Sequence, residues 1–281
     1  MEKKYEFVCQ NDNVSLEYEI KEHVSKKFYK RMRFYSKTYV NGIELSKREL
    51  IKKGDIITIY LEEESNETWE AYESKLDIYY EDDNYLVVYK KEDLLSIPIK
   101  ACPKSLYQEL LYYFKSTNQN VIPSILNRLD RETEGLVVVA KNRIAAYKLS
   151  PTHEHIIRKY VCLCEGLYEN DFGTIKTYIA KDENSNKRYI SDTGKIAISD
   201  YRVLKRFDNK TLVEYVLKTG RTHQIRLHSS YINHPIIGDY MYGSASKGDK
   251  LYLKSYYVEF FNSFSNELVK CEIGSDFDWK S

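Results

Sequence analysis

The stretch Asn127-Arg128-Leu129-Asp130-Arg131-Glu132-Thr133-Glu134-Gly135, followed at once by Leu136-Val137-Val138-Val139-Ala140, constrains this chain more than any other. Leu136 to Ala140 has the length and β-branched content of a strand buried on both faces. Gly135 allows a turn that a side chain would hinder. A charged loop is thereby tied to the mouth of a core strand, and loops held by a rigid scaffold are where chemistry tends to sit. Taken alone, the same stretch also fits a solvated turn in front of a strand.

The chain has 281 residues, enough for one large domain or a large one and a small one. Its 42% hydrophobic and 30% charged content describes an ordinary globular protein. A formal net charge of +1 predicts no globally basic surface, so a nucleic-acid footprint has to come from local clustering. Met1 to Glu6 lacks the apolar run of a secretory signal. No apolar run reaches membrane-spanning length. A cytoplasmic location without a membrane partner is expected, and nothing in the sequence demands more than a monomer. The five cysteines lack the number and spacing of a disulfide framework. Cys162 and Cys164 share one face of a strand and read as small residues in a buried strand rather than as metal ligands.

Residues 1–64 read as a small module. Val24, Phe28, Met32 and Tyr35 recur at helical spacing and predict one helix over Lys21 to Tyr35. Thr38 to Leu45 reads as two short strands around an Asn41-Gly42 turn. Gly54 to Leu61 starts as a turn and ends as a strand. Lys26, Lys27, Lys30, Arg31, Lys52 and Lys53 make a local basic patch of the kind that holds phosphates without reading sequence. The helix part of that patch also fits a solvated face. Glu62 to Thr68 is polar and aperiodic, and residues 65–75 are read as a linker.

Residues 76–281 form the second unit. Leu76 to Lys90 reads as a hairpin and Leu106 to Phe114 as a helix. Arg143 to Leu149 reads as a short helix, and Lys159 to Gly166 as a strand. Two further strands, Lys195 to Leu204 and Thr211 to Leu217, lead into Thr219-Gly220-Arg221-Thr222-His223-Gln224-Ile225-Arg226-Leu227-His228. Thr222 is the expected N-cap of a helix running to Tyr231. His223 and His228 are five apart, a poor spacing for zinc on a helix. His234 to Gly243 is a turn-rich loop with an expected supporting role.

In order, these segments resemble the motifs of RluA-type pseudouridine synthases. Asn127 to Leu136 resembles His-Arg-Leu-Asp-x-x-Thr-Ser-Gly-Leu, with Asn127 for His and Glu134 for Ser. Thr219 to His228 is similar to Thr-Gly-Arg-Thr-His-Gln-Ile-Arg-Val-His almost throughout. Tyr85 to Lys91 resembles the opening Val-Val-Asn-Lys-Pro strand without its Asn and Pro. His234 to Gly243 resembles His-Pro-Ile-x-Gly-Asp-x-x-Tyr-Gly. Lys254 stands where the final strand usually has His. The order helix, Val-Asn-Gly, lysine-rich segment and Lys-Lys-Gly-Asp-Ile-Ile strand resembles an S4-type RNA-binding module.

The resemblance implies an α+β fold, a mixed but largely antiparallel central sheet with flanking helices, preceded by a small α/β RNA-binding module. It implies an isomerase that turns uridine into pseudouridine in structured RNA, ribosomal or transfer RNA. It makes Asp130 the catalytic carboxylate, Arg226 the arginine paired with it, Tyr160 the ring that stacks on the target base and Arg128 the residue that fills the gap left by that base. The reaction breaks one carbon–nitrogen bond and makes one carbon–carbon bond, so it needs a carboxylate but no metal and no organic cofactor. A buried carboxylate needs a facing cation, which Arg226 would supply. Stacking on Tyr160 would be worth about 1–3 kcal/mol. Glu134 is expected to point away from Asp130 or to pair with a base such as Arg131. The other reading is an RNA-binding protein or RNA chaperone on the same scaffold, with activity lost through Asn127 and Glu134.

Overall fold

A computed structural model of the chain describes residues 2–62, 69–100, 104–150, 156–185, 187–245, 250–274 and 279. The first elements are β1 (Glu2–Val8), β2 (Val14–Ser15), α1 (Leu16–His23), α2 (Lys26–Tyr35), β3 (Ser36–Val40), β4 (Ile43–Glu44), β5 (Leu50–Ile51) and β6 (Ile56–Glu62). Strands β1, β6, β3 and β4 form one antiparallel sheet in that order. Asn41 and Gly42 both take positive φ, 50° and 82°, which is what a two-residue hairpin turn between β3 and β4 requires.

The single helix expected over Lys21 to Tyr35 is two helices. Val24 is extended at φ −139°, and the Ser25 side chain accepts the Phe28 N–H, starting a new helix. Val24, Phe28 and Met32 are all buried, so the apolar spacing runs through the break without revealing it. Lys26, Lys27 and Lys30 lie on the exposed face of α2, and Lys52 and Lys53 in the exposed turn before β6. The side chain of Arg31 falls outside the described residues, as does much of the expected linker, residues 63–68.

The remaining elements are β7 (Asp77–Glu81), β8 (Tyr85–Lys90), α3 (Leu106–Ser116), β9 (Ser124–Ile125), β10 (Glu134–Ala140), α4 (Arg143–Lys148), β11 (Ile157–Glu165), β12 (Phe172–Lys181), β13 (Arg188–Ile190), β14 (Lys195–Arg206), β15 (Lys210–Leu217), α5 (Gln224–Tyr231), β16 (Leu253–Asn262) and β17 (Glu267–Glu272). All the strands join one sheet in the order β13-β12-β14-β15-β11-β16-β10-β8-β7, with β17 on β16 and β9 on β10. Every pairing described in it is antiparallel except β10 with β16. This is the mixed, largely antiparallel α+β architecture expected from the sequence.

Strands β8 and β10 are buried on both faces, as the apolar run Leu136 to Ala140 requires. Val137, Val139, Leu86 and Val88 face a core closed by Leu106, Leu110 and Phe114 of α3. Leu136, Val138, Ala140, Tyr85 and Val87 face the other side, against Ala145 of α4 and Val258 and Phe260 of β16. Burying each such side chain contributes about 1.5–3 kcal/mol. The sheet centre is therefore a stiff platform beneath whatever loop enters it. Ile144 of α4 packs into the core of residues 2–62, and the Arg143 guanidinium sits 5.8 Å from the Phe28 ring. Cys162 and Cys164 are fully buried on β11, Sγ to Sγ 3.5 Å, as small core residues. No described helix is long and apolar enough to cross a membrane.

Candidate active site

The loop from Asn127 to Glu134 is fixed at both ends. At its start, the Asn127 side chain donates to Leu136 O at 3.1 Å and accepts the Val138 N–H at 2.7 Å. Asn127 thus bonds both ways to the backbone of β10, which a neutral side chain with one donor and one acceptor can do. At its end, Gly135 has φ +127°, and a Cβ there would lie 2.1 Å from the Ser255 carbonyl oxygen. Only glycine lets β10 and β16 meet as parallel strands at this point.

Between these ends the loop is held from below. The Ser96 hydroxyl donates to Leu129 O at 2.7 Å and accepts the Leu129 N–H at 3.0 Å. Lys90, fully buried, donates from Nζ to the carbonyls of Leu94, Lys91 and Arg131 at 2.6, 3.0 and 3.2 Å. Burial pushes its pKa down to about 8 against the pull of Asp130 and neighbouring acids. The backbone carries Arg128 outward and exposed, Leu129 inward, and Asp130 into the crevice, where its side chain is 25% exposed.

Burial raises the pKa of Asp130; His223, Arg226 and Lys90 oppose that rise while Glu132 adds to it. The nearest described nitrogen side chain to it is His223, whose Nε2 lies 3.9 Å from Oδ1. Arg226, the third residue of α5, is expected from the resemblance to pair with Asp130. The structure gives it a different partner. Its Nε and Nη2 donate to Asp239 Oδ2 and Oδ1 at 2.7 and 2.8 Å, a bidentate pair between two buried side chains. Its Nη1 has no hydrogen-bond partner, with Glu132 Oε2 at 3.5 Å. Asp239 wins because the loop after α5 folds back under the helix and presents both oxygens in the guanidinium plane, whereas Asp130 acts on Arg226 only through its field.

Helix α5 is mounted by its own polar residues. Thr222 does not cap it: His223 is the N-cap residue, in the left-handed region at φ 58°. The Gln224 side-chain Oε1 instead accepts the Arg221 N–H at 2.9 Å and the Thr219 hydroxyl at 2.8 Å, while its Nε2 donates to Ile198 O and Ser199 Oγ. His228 bonds to Thr177 and Ser199 through its two ring nitrogens, at 3.0 and 2.9 Å.

Tyr160 lies on β11 opposite Tyr215 of β15 and Ser255 of β16. It is 5% exposed and belongs to the core face that also carries Leu129. Burial raises its pKa, with the Asp130 charge acting in the same direction. The charge of Asp130 thus acts on both Tyr160 and Arg226. The basic residues of α2 and of the turn before β6 belong to the other sheet's unit, and no described contact joins them to this crevice.

Glu134, the departure that placed a second acid near Asp130, is turned aside. Its carboxylate accepts from Tyr89 Oη and pairs with Lys254 Nζ at 3.0 Å and Lys250 Nζ at 3.9 Å. Bonds from Tyr89 and Lys254 outweigh burial and lower its pKa. Three departures from the family pattern, at positions 89, 134 and 254, are thus one mutually satisfied cluster. Arg131, the partner expected for Glu134, lies 3.6 Å from Asp93 instead. His223, Asp239, Tyr242 and Lys90 were not singled out as site residues. Their signal was present in the motifs, since Asp239 and Tyr242 belong to the loop read as support and His223 was weighed only as a metal ligand.

Residues 84–231 match the family model described as RNA pseudouridylate synthase. The chain is 31% identical over 237 residues to an uncharacterized RNA pseudouridine synthase, YjbO, of Bacillus subtilis, covering 82% of this chain and 84% of the relative. It is 34% identical over 251 residues to ribosomal large subunit pseudouridine synthase D of Borreliella burgdorferi, covering 81% and 76%. Among solved structures, human RNA pseudouridylate synthase domain containing 1 aligns with TM-score 0.60 and 25% identity over 72% of this chain and 84% of that one. The chain belongs to the RNA pseudouridylate synthase family, isomerases that convert uridine in RNA to pseudouridine.

Proposed function

We propose that this chain isomerises particular uridines of structured RNA, ribosomal RNA foremost, with Asp130 as the reacting carboxylate. The observation that carries this reading is the placement of Asp130: an acid at the mouth of a doubly buried strand, facing His223, Arg226 and Lys90. The bond from ribose C1′ to uracil N1 breaks, and C1′ bonds to C5. The C5 proton leaves and N1 takes one up, so atoms balance without an outside reagent. Asp130 attacks or moves a proton in this sequence. Arg226, anchored by Asp239, keeps its Nη1 without a hydrogen bond, 3.5 Å from Glu132, for the ionised acid or the nucleoside. Tyr160 supplies a ring for the extruded uracil, and the exposed Arg128 fills its place in the stack.

Residues 1–64 act in this reading as an S4-like module that grips phosphates through Lys26, Lys27, Lys30, Arg31, Lys52 and Lys53. A relative named for the large ribosomal subunit supports ribosomal RNA as the substrate class. Splayed bases occur in loops and bulges, so a structured loop is the target. The protein then works in the cytoplasm, as a single chain.

The test is tritium release from uridine-tritiated cellular RNA. Wild type releases tritium from one RNA fraction, and Asp130→Ala abolishes release while RNA affinity stays within a few-fold. Absence of release from ribosomal and transfer RNA alike, or undiminished release by Asp130→Ala, overturns the assignment.

A further inference from the structure

We propose that His223 is a positioning residue for Asp130: a neutral imidazole that turns its Nε2–H to the carboxylate, in a tautomer fixed by the Tyr242 hydroxyl. The inference rests on the reading of Asp130 as the reacting carboxylate.

The geometry starts with the backbone. His223 occupies the left-handed region at φ 58° and ψ 22°, uncommon for a residue with a side chain, and makes no side-chain cap bond to α5. That conformation throws the ring out of the helix line, between Asp130 and Tyr242. Nε2 lies 3.9 Å from Asp130 Oδ1, and Nδ1 lies 2.7 Å from Tyr242 Oη.

Tyr242 decides which nitrogen carries the proton. Its hydroxyl oxygen accepts the backbone N–H of Arg188 at 2.9 Å. Its own proton is then left to give, and the acceptor in front of it is His223 Nδ1. With Nδ1 accepting, the ring hydrogen sits on Nε2 and points at Asp130. The opposite tautomer would set a lone pair against a carboxylate and leave the Tyr242 proton without this acceptor. Tyr242 itself is fixed: the Ser230 hydroxyl donates to its carbonyl at 2.7 Å, and the Arg226 guanidinium lies 5.3 Å from its ring centre.

The charges facing His223 are Asp130, Glu132, Arg226 and Arg188. Burial, with Arg226 and Arg188, keeps the ring neutral against the pull of the two acids. A neutral donor facing Asp130 orients the acid without joining it in an ion pair that would blunt its reactivity. At 3.9 Å the N–H stops short of a hydrogen bond, and such contacts tighten when substrate closes the site. Oδ1 becomes the held oxygen and Oδ2 the one offered to the nucleoside.

Two readouts test this, one of them independent of activity. Long-range proton–nitrogen NMR of histidine-labelled protein should show His223 as the Nε2–H tautomer in wild type, with that preference lost in Tyr242→Phe. In single-turnover assays on uridine-tritiated ribosomal RNA, Tyr242→Phe should slow the rate about tenfold, and His223→Leu about a hundredfold, with RNA affinity and melting temperature nearly unmoved. His223→Gln, whose amide N–H stands in for Nε2–H, should retain activity to within about fivefold. In that background Tyr242→Phe should have no further effect. An Nδ1–H tautomer in wild type, or equal losses from Tyr242→Phe in both backgrounds, overturns the inference. An inactive wild type with the Nε2–H tautomer intact would instead remove the reading of Asp130 on which it rests.

Discussion

Arg226 is clamped by Asp239, through two parallel bonds of 2.7 and 2.8 Å, and the Nη1 that the clamp leaves over lies 3.5 Å from Glu132 Oε2. Aspartate 239 thus sets the direction of the guanidinium, and Asp130 receives its field.

That relationship makes Asp239→Asn a severe change. A buried guanidinium would lose its counter-charge, which for such a pair costs about 3–5 kcal/mol. Urea unfolding should show the loss with an unchanged slope, and the pseudouridylation rate should fall at least tenfold. A stability change below about 1 kcal/mol would contradict the clamp, since that is the size of an exposed pair.

The cluster of Tyr89, Glu134 and Lys254 predicts coupling. Glu134→Ser, which restores the residue usual in the family, should destabilise the chain by about 1–3 kcal/mol, because it strands a half-buried tyrosine hydroxyl and a lysine. In a Lys254→His background the same change should cost at least about 0.5 kcal/mol less. Additive losses in a double-mutant cycle would show that the three residues do not act together.

Gly135→Ala tests the strand crossing under the acid loop. Its Cβ would meet the Ser255 backbone at 2.1 Å, in a conformation that side chains avoid. We expect a loss of about 2–4 kcal/mol and a melting temperature lower by roughly 5–10 °C. Activity should vanish with the displaced loop, while Gly42→Ala, with open space around its Cβ, should leave the Asp130 loop undisturbed.

His228 gives the protein an acid limit. Burial pushes its pKa down to about 4, below the unfolded value of about 6.5. The unfolded chain therefore binds the proton first as pH falls. The stability tied to neutral His228 is complete above pH 6.5 and is lost between about 6.5 and 4, by about 3 kcal/mol. His23, whose pKa burial also lowers, acts in the same sense. Urea midpoints measured from pH 7.5 to 4.5 should fall, and His228→Asn should flatten that fall.

The parts of this fold that could be read from the residues are those where one physical demand dominates. Leu136 to Ala140 had to be buried on both faces, and Asn41-Gly42 had to turn. The break at Val24 and Ser25 was hidden because Val24 stays buried on the same stripe after leaving the helix. Thr222 has the residue type of a cap, but the cap position falls one residue later at His223, and the Gln224 side chain takes the Arg221 N–H from inside the helix. The partner of Arg226 was misread for a different reason. Two acids at positions 130 and 239 compete for one guanidinium, and only the return path of the chain decides between them. Glu134 turns aside from Asp130 as expected, but its partners Tyr89, Lys250 and Lys254 lie far away in sequence, so only the nearby Arg131 suggested itself.

The parallel pairing of β10 with β16 joins residues 120 apart, Glu134 with Lys254 and Gly135 with Ser255, and the Ser255 hydroxyl donates to Leu136 O, 119 residues away. At ordinary translation speeds of about 5–20 residues per second, roughly 6–24 s separate the emergence of those two segments from the ribosome. A nascent chain therefore carries its acid loop for many seconds before the strand that braces it exists. The Asp130 loop therefore reaches its final support only once β16 has emerged and docked beside β10.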